Sequence, residues 1–104
     1  VVFGQVRDVT CTIQGLVREK MLAGEKVGVI CTEETKDFYS ADFVVSAGTG
    51  TDEEMIARRL YGILRQFDRD EVTYIYSEAF SDRGIGQAVM NRLLKAAGYH
   101  MIET

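Results

Sequence analysis

Residues 27–32 (VGVICT) form a continuous apolar run of strand length. A strand that is apolar along its whole length suits a sheet that is covered on both faces. In a small domain the usual cover is a layer of helices on each side of the sheet. The run therefore predicts an α/β fold in which this strand is covered on both faces, whereas the order of the strands does not follow from the sequence.

Helical periodicity before this run supports the same architecture. Four apolar residues between positions 10 and 23 fall on one face at helical spacing: Ile13, Leu16, Val17 and Met21. Gly24 lies where a C-terminal glycine ends a helix. We therefore predict a first helix over residues 10–23 with these four side chains buried.

A second and more regular helix is predicted to begin at Thr51. Thr51 and Glu54 match a capping box, in which the two residues satisfy each other's free backbone N–H groups. A strict one-sided apolar stripe follows, made of Ile56, Leu60, Ile63, Leu64 and Phe67. We expect Leu64 to lie centrally in this stripe and to be buried.

The remaining segments complete an alternating pattern. Strands are predicted at residues 1–3, 43–45 and 72–76, and a last helix begins around Gly84 with Ile85, Val89, Leu93 and Ala96 on its buried face. Parallel strands with right-handed crossovers are the default for such an order. We expect one α/β domain over residues 1–104, with three layers and a mostly parallel sheet of four or five strands.

Composition and charge exclude several classes of protein. A net charge of −4 argues against direct nucleic-acid binding, because phosphates are neutralised by clustered Lys and Arg. No apolar run approaches the roughly 18 residues of a membrane span. Two cysteines and one histidine are too few for a zinc site, so Cys11 and Cys31 are expected to be free cytoplasmic thiols. Because the chain opens on Val1 rather than on methionine, we expect a fragment of a longer protein, itself monomeric.

Two glycine loops stand between a predicted strand and a predicted helix. Neither contains the dinucleotide fingerprint GxGxxG, and no Walker sequence occurs. In the first loop, Gly48 and Gly50 are followed by three carboxylates at positions 52–54, which stabilise the helix but repel a phosphate. The first loop is therefore not expected to bind a nucleotide.

The second loop is the better candidate for function. Glu78 follows a strand at its expected carboxyl end, where open α/β sheets place their ligands, and Gly84 and Gly86 open the next helix. Asn91 and Arg92 lie further along that helix. We take Glu78, Gly84, Gly86, Asn91 and Arg92 as the candidate functional or interdomain surface.

Two other interpretations of these residues stay open. The glycines can simply turn the chain and let the helix approach the sheet. Arg92 can pair with Glu78 as an internal brace, because an arginine beside a buried face usually finds an acid. We predict no catalytic residue, no cofactor-binding residue and no metal ligand, since the sequence offers no nucleophile–base pair and no GxSxG.

Several short motifs follow one another along almost the whole chain. They are residues 28–34 (GVICTEE), 39–42 (YSAD), 60–61 (LY), 64–68 (LRQFD), 77–78 (SE), 84–93 (GIGQAVMNRL) and 95–97 (KAA). This collinear series closely resembles the C-terminal domain of the long threonylcarbamoyl-AMP synthases, and residues 84–93 are its most specific part.

The resemblance implies a Rossmann-like accessory domain of a larger nucleotidyltransferase. The full enzymes of this family use ATP, bicarbonate and L-threonine to make threonylcarbamoyl-adenylate and pyrophosphate for a tRNA modification. The resemblance places ATP and magnesium in the full-length enzyme and no cofactor in this chain. The implied partner is an N-terminal catalytic domain of the same polypeptide, joined by a linker. The chain alone is therefore expected to be inactive, with covering or gating of the nucleotide site as its role.

Two rival hypotheses belong to other classes. A free-standing nucleotide-binding module of flavodoxin or Rossmann type would need the fingerprint that both loops lack. A response-regulator-like switch would need a phosphorylatable aspartate at a strand end with a lysine opposite. The acids that follow the predicted strands are instead mainly Glu33, Glu34 and Glu78.

Overall fold

Strands and helices alternate along the chain much as the sequence predicts. The computed structural model describes residues 1–3, 6–48, 53–78, 95 and 102–103. In these residues the elements are β1 (Val2–Phe3), α1 (Val6–Leu22), β2 (Val27–Cys31), a 3₁₀ turn (Lys36–Phe38), β3 (Phe43–Ser46), α2 (Glu53–Arg69), β4 (Tyr74–Ser77) and β5 (Ile102–Glu103). The helix predicted from Gly84 onward lies outside the described residues.

All strand pairs among the described residues are parallel, which confirms the α/β class. The central sheet has the order β3-β2-β4, and β1 pairs with β5 in a second, two-stranded sheet. An isolated parallel bridge between Val2 and Glu78 links the two sheets. The larger described sheet therefore has three strands, fewer than the four or five that we expected in a single sheet. Strand β2 is the central strand of this larger sheet.

Strand β2 sends its side chains into two separate cores. On one side Val27, Val29 and Cys31 pack with residues of α1, and on the other Ile30 packs with residues of α2. The α1 side contains Val2, Val9, Ile13, Val17 and Tyr39, and the α2 side contains Val1, Ala47, Ile56, Leu60, Ile63 and Phe67. Helices cover both faces of the sheet, as the apolar run of residues 27–32 predicts.

Gly28 allows α2 to approach β2 closely. A Cβ atom at this position would lie 2.9 Å from the Phe67 ring, closer than carbon atoms pack. The ring is fully buried and also meets Phe43, with 6.2 Å between the two ring centroids. The absence of a side chain at Gly28 therefore makes the space that Phe67 fills.

Helix α1 begins four residues earlier than predicted and ends at Leu22, one residue before the predicted end. Gly24 has φ +85°, and the amides of Gly24 and Glu25 donate to the carbonyls of Met21 and Lys20 at 3.0 Å each. These two bonds form a Schellman motif, which a glycine in the left-handed region favours. Of the four residues expected on the packed face, Ile13 and Val17 are buried and Leu16 is half-buried. Met21 is 40% exposed, because it lies in this last turn at the margin of that face.

Helix α2 buries the predicted stripe with one correction. Ile56, Leu60 and Phe67 are almost fully buried, whereas Leu64 is only partly buried and packs against the margin of the core. The central position that we expected for Leu64 is occupied by Leu60. The carboxylate of Glu54 accepts a bond from Arg58 at 2.8 Å, and its predicted capping partner Thr51 lies outside the described residues.

The residue that follows the C-terminal end of α2 has a strained backbone conformation, which leads to a testable prediction. The amides of Glu71 and Val72 donate to the carbonyls of Asp68 and Phe67, so α2 also ends in a Schellman motif. Glu71 takes the left-handed position with φ +57°, which costs a residue with a Cβ about 1–2 kcal/mol. Glu71→Gly relieves this strain, but the extra freedom of glycine in the unfolded chain offsets part of the gain. The free energy of unfolding, measured by urea titration, should therefore rise by about 0.5–1 kcal/mol. A loss of stability would show that the Glu71 side chain matters more than its backbone.

Candidate functional site

Glu78 lies at the carboxyl edge of the central sheet, as predicted. We use "carboxyl edge" for the ends of β2, β3 and β4 with the segments that follow them. The Glu78 amide donates to the Ile30 carbonyl at 3.0 Å, which continues the pairing of β4 with β2 for one residue. The side chain points into the protein, where Glu78 is only 7% exposed.

Both oxygens of the Glu78 carboxylate are bonded to hydroxyl groups of the segment that follows β2. The Thr35 hydroxyl donates to Oε1 at 3.0 Å, and the Tyr39 hydroxyl donates to Oε2. Thr35 and Tyr39 are themselves buried. A buried acid with both oxygens bonded is well compensated for its loss of water. Glu78 thus connects the end of β4 to the connection between β2 and β3.

Burial and the Glu78 charge shift the ionisation of neighbouring groups. Burial, followed by the hydrogen bond to Glu78, raises the pKa of Tyr39, which keeps the phenol protonated as the donor. Burial and then the negative charges of Glu78 and Glu33 raise the pKa of Cys31 to about 12. The reactive form of cysteine is the thiolate, so Cys31 is a structural thiol and a poor nucleophile.

The connection between β2 and β3 is held at two further points, both within the predicted motif at residues 39–42. The Gln14 side-chain amide donates to the Ser40 carbonyl at 3.1 Å and accepts from the Ser40 amide at 2.8 Å. Asp42 Oδ2 accepts from the Val27 amide at 2.8 Å, at the start of β2. The motif thus fixes a crossover that contains only a 3₁₀ turn in place of a full helix.

The outer side of this connection is polar apart from one aromatic ring. Lys36 Nζ lies 2.8 Å from a carboxylate oxygen of Glu33, and both side chains are exposed. The hydrogen bond with Lys36, followed by one with Ser46, holds the pKa of Glu33 below its usual value. Phe38, in the 3₁₀ turn, is 66% exposed.

Of the five predicted surface residues, Glu78 alone falls among the described residues. Gly84, Gly86, Asn91 and Arg92 lie outside them, so the predicted pairing of Glu78 with Arg92 stays a prediction. Sequence reasoning missed Thr35 and Tyr39 as partners of Glu78. The sequence feature that could have pointed to Tyr39 is its place in the motif at residues 39–42. Both this motif and the one that contains Glu78 belong to the series that resembles the family.

Neither cysteine takes part in a metal site within the part of the chain that the structure describes. Cys11 is exposed and Cys31 is buried, both as free thiols. No group of three His, Cys, Asp or Glu side chains in these residues could hold a metal ion. None of the described helices is long and apolar enough to cross a membrane.

Comparison with known proteins gives one consistent family. Residues 4–98 match the model of the family described as threonylcarbamoyl-AMP synthase, C-terminal domain. The threonylcarbamoyl-AMP synthase of Bacillus subtilis is 48% identical over 90 residues, which are 86% of this chain and 26% of that protein. The chain thus spans about a quarter of the length of this curated relative.

Solved structures agree with this result. The crystal structure of Pyrococcus abyssi Sua5 complexed with L-threonine has a TM-score of 0.86 at 38% identity, covering 99% of this chain and 29% of that one. The C-terminal Sua5 domain of a Pyrococcus horikoshii protein has a TM-score of 0.77 at 36% identity, covering 99% of this chain and 92% of that one. That domain was therefore crystallised without the remainder of its protein.

Proposed function

Since the chain belongs to the family of threonylcarbamoyl-AMP synthase C-terminal domains, we propose that it works as the accessory domain of such a synthase in the cytoplasm. The observation that carries this proposal is the match over residues 4–98 to a domain that forms about a quarter of its relatives. The reaction of the whole enzyme joins L-threonine, bicarbonate and ATP into threonylcarbamoyl-adenylate and pyrophosphate. Its product supplies the threonylcarbamoyl group for a modification of tRNA.

The chemistry of that reaction belongs to the other part of the enzyme in this proposal. In the described residues, the candidate site holds a buried carboxylate whose oxygens are both bonded, and a protonated buried thiol. Neither group is suited to attack a substrate or to transfer a proton to one. ATP and magnesium are accordingly assigned to the catalytic domain.

The carboxyl edge is the surface that we assign to the catalytic domain. Loops that follow parallel strands gather there, and Glu78 fixes the end of β4 relative to the segment that follows β2. A contact surface must keep its shape to act on a neighbouring domain, and a buried carboxylate with both oxygens bonded gives this edge such rigidity. The domain would then cover or gate the nucleotide site.

The first test separates this domain from the catalytic one. Pyrophosphate release from ATP with threonine and bicarbonate should be absent with the chain alone and present with the full-length enzyme. Calorimetry with ATP and with NAD should show no binding to the chain alone. Turnover by the chain would refute the accessory role, and nucleotide binding would favour the free-standing nucleotide-binding module instead.

The second test concerns the surface itself. In the full-length enzyme, Gly86→Ala should lower the synthase rate without lowering the thermal midpoint. Gly62→Ala is the matched control, because a Cβ at that exposed position in α2 would meet no atom within 4 Å. Equal rates for both variants would show that Gly86 does not belong to a functional surface.

A further inference from the structure

Phe38 presents a large apolar ring to solvent at the carboxyl edge. Its exposed fraction is 66%, so most of the ring contributes nothing to the core of this chain. A single exposed apolar residue is common on protein surfaces and needs no explanation by itself. What distinguishes Phe38 is how firmly its backbone is held.

The turn that carries Phe38 is fixed on both sides by the same buried carboxylate. Thr35 precedes the turn, Tyr39 follows it, and each donates its hydroxyl hydrogen to Glu78. Within the turn, the Phe38 amide donates to the Thr35 carbonyl at 2.9 Å, and the Tyr39 amide donates to the Lys36 carbonyl at 3.3 Å. Because the backbone of the turn is already held in this way, only the side-chain torsions of Phe38 lose freedom when a partner binds the ring.

A groove beside Phe38 leaves room for a partner to approach. It runs between the turn and α1 and is lined by Thr10, Cys11, Gln14, Gly15, Arg18 and Phe38. Gly15 is exposed, and no atom lies within 4 Å of the position that its Cβ would take. Glycine weakens a helix interior, and no packing contact within the described residues requires it at position 15.

The size of the relatives indicates what covers this surface. The Bacillus subtilis synthase contains almost four times the length matched here, so a second and larger body accompanies this domain in that protein. Phe38 directly precedes Tyr39, which bonds Glu78, and it belongs to the segment that follows β2 on the edge assigned above to that body. Aromatic side chains in fixed positions are typical anchors of protein interfaces, because each buries a large area on contact.

We propose that Phe38 is the anchor by which this domain docks onto the catalytic domain of the same polypeptide, and that Thr35 and Tyr39 are positioning residues that hold it through Glu78. The inference rests on the proposed function and narrows its surface to one side chain. In this proposal the ring enters an apolar pocket on the catalytic domain. The backbone of the catalytic domain passes over Gly15.

Hydrogen exchange measured by mass spectrometry on the full-length enzyme tests the proposal. Phe38→Ala should speed exchange by about tenfold or more in at least one segment of the catalytic domain, the scale of losing an interface anchor. Leu22→Ala is the matched control, because Leu22 is an apolar residue that is 84% exposed at the C-terminal end of α1 and does not line the groove. It should leave exchange in the catalytic domain unchanged.

Tyr39→Phe provides the second arm, because it keeps the Phe38 ring and removes one of its supports. It should speed exchange in the same catalytic-domain segment, by less than Phe38→Ala does. The double variant should be no worse there than Phe38→Ala alone, since Tyr39 acts through Phe38.

Two results would overturn the proposal. One is unchanged exchange throughout the catalytic domain of the Phe38→Ala enzyme, and the other is an equal effect of Leu22→Ala. A reduced synthase rate in the Gly86→Ala enzyme, together with unchanged exchange in the catalytic domain of the Phe38→Ala enzyme, would support the proposed function. It would also show that Phe38 is not the docking anchor.

Discussion

Phe67→Ala is expected to lower the free energy of unfolding of this domain by about 3–5 kcal/mol, the usual cost of deleting a buried phenylalanine. The Phe67 ring is fully buried and fills the space above Gly28. Because Gly28 has no side chain, this position of β2 cannot fill the cavity that the ring leaves. The loss should therefore fall at the upper part of this range, and urea titration of the isolated domain would measure it.

Tyr61→Ala is the control for this prediction. Tyr61 belongs to the same helix, is 55% exposed, and has the Arg65 guanidinium 5.8 Å from its ring centroid. Removing it should cost less than about 1 kcal/mol, the scale of an exposed cation–π contact. Similar losses for the two variants would mean that α2 does not pack against β2 through Phe67.

Glu78→Ala is expected to cost the isolated domain about 2–4 kcal/mol, since it leaves buried hydroxyl groups without their acceptor. The Tyr39 hydroxyl loses its bond outright, whereas the Thr35 hydroxyl keeps the Thr32 carbonyl 3.4 Å away. The Tyr39 hydroxyl should therefore account for most of the loss. Thermal and urea unfolding would both report it.

A double-mutant cycle identifies the cause. Tyr39→Phe should destabilise the wild-type domain but have almost no effect in the Glu78→Ala background, where its acceptor is already gone. Glu33→Ala, which removes an exposed partner of Lys36 near the same turn, should leave the unfolding midpoint almost unchanged. Additive losses in the cycle would show that Tyr39 and Glu78 stabilise the domain independently.

The sequence predicted the fold where a local pattern determines the outcome. The apolar run at residues 27–32 became the central strand with helices on both faces, and Gly24 ended α1 as its conformational freedom suggests. Met21 and Leu64 were placed too deep in the core. Helical spacing gives the direction of a side chain but not how far the neighbouring layer extends, and both residues lie at a margin.

Less of the candidate site could be predicted from local sequence patterns. The position of Glu78 followed from the rule that loops collect at the carboxyl ends of parallel strands. Its partners did not, because Thr35 and Tyr39 lie 43 and 39 residues away in the chain and belong to a different connection. Hydroxyl groups of this kind have no spacing rule, so only the three-dimensional arrangement could join them to the acid.

The parallel pair β1–β5 has a consequence for how the domain assembles. Among the described residues Val2 pairs with Ile102 and Phe3 with Glu103, and these two pairs close a loop of nearly the whole chain. Closing so long a loop costs much chain entropy before its contacts form. We therefore expect the β3-β2-β4 sheet and its two helices to form first and the two ends of the chain to join last. In the native state the same pair should open most readily. Backbone amides at the edge that carries β1 and β5 should therefore exchange faster than those of the central sheet.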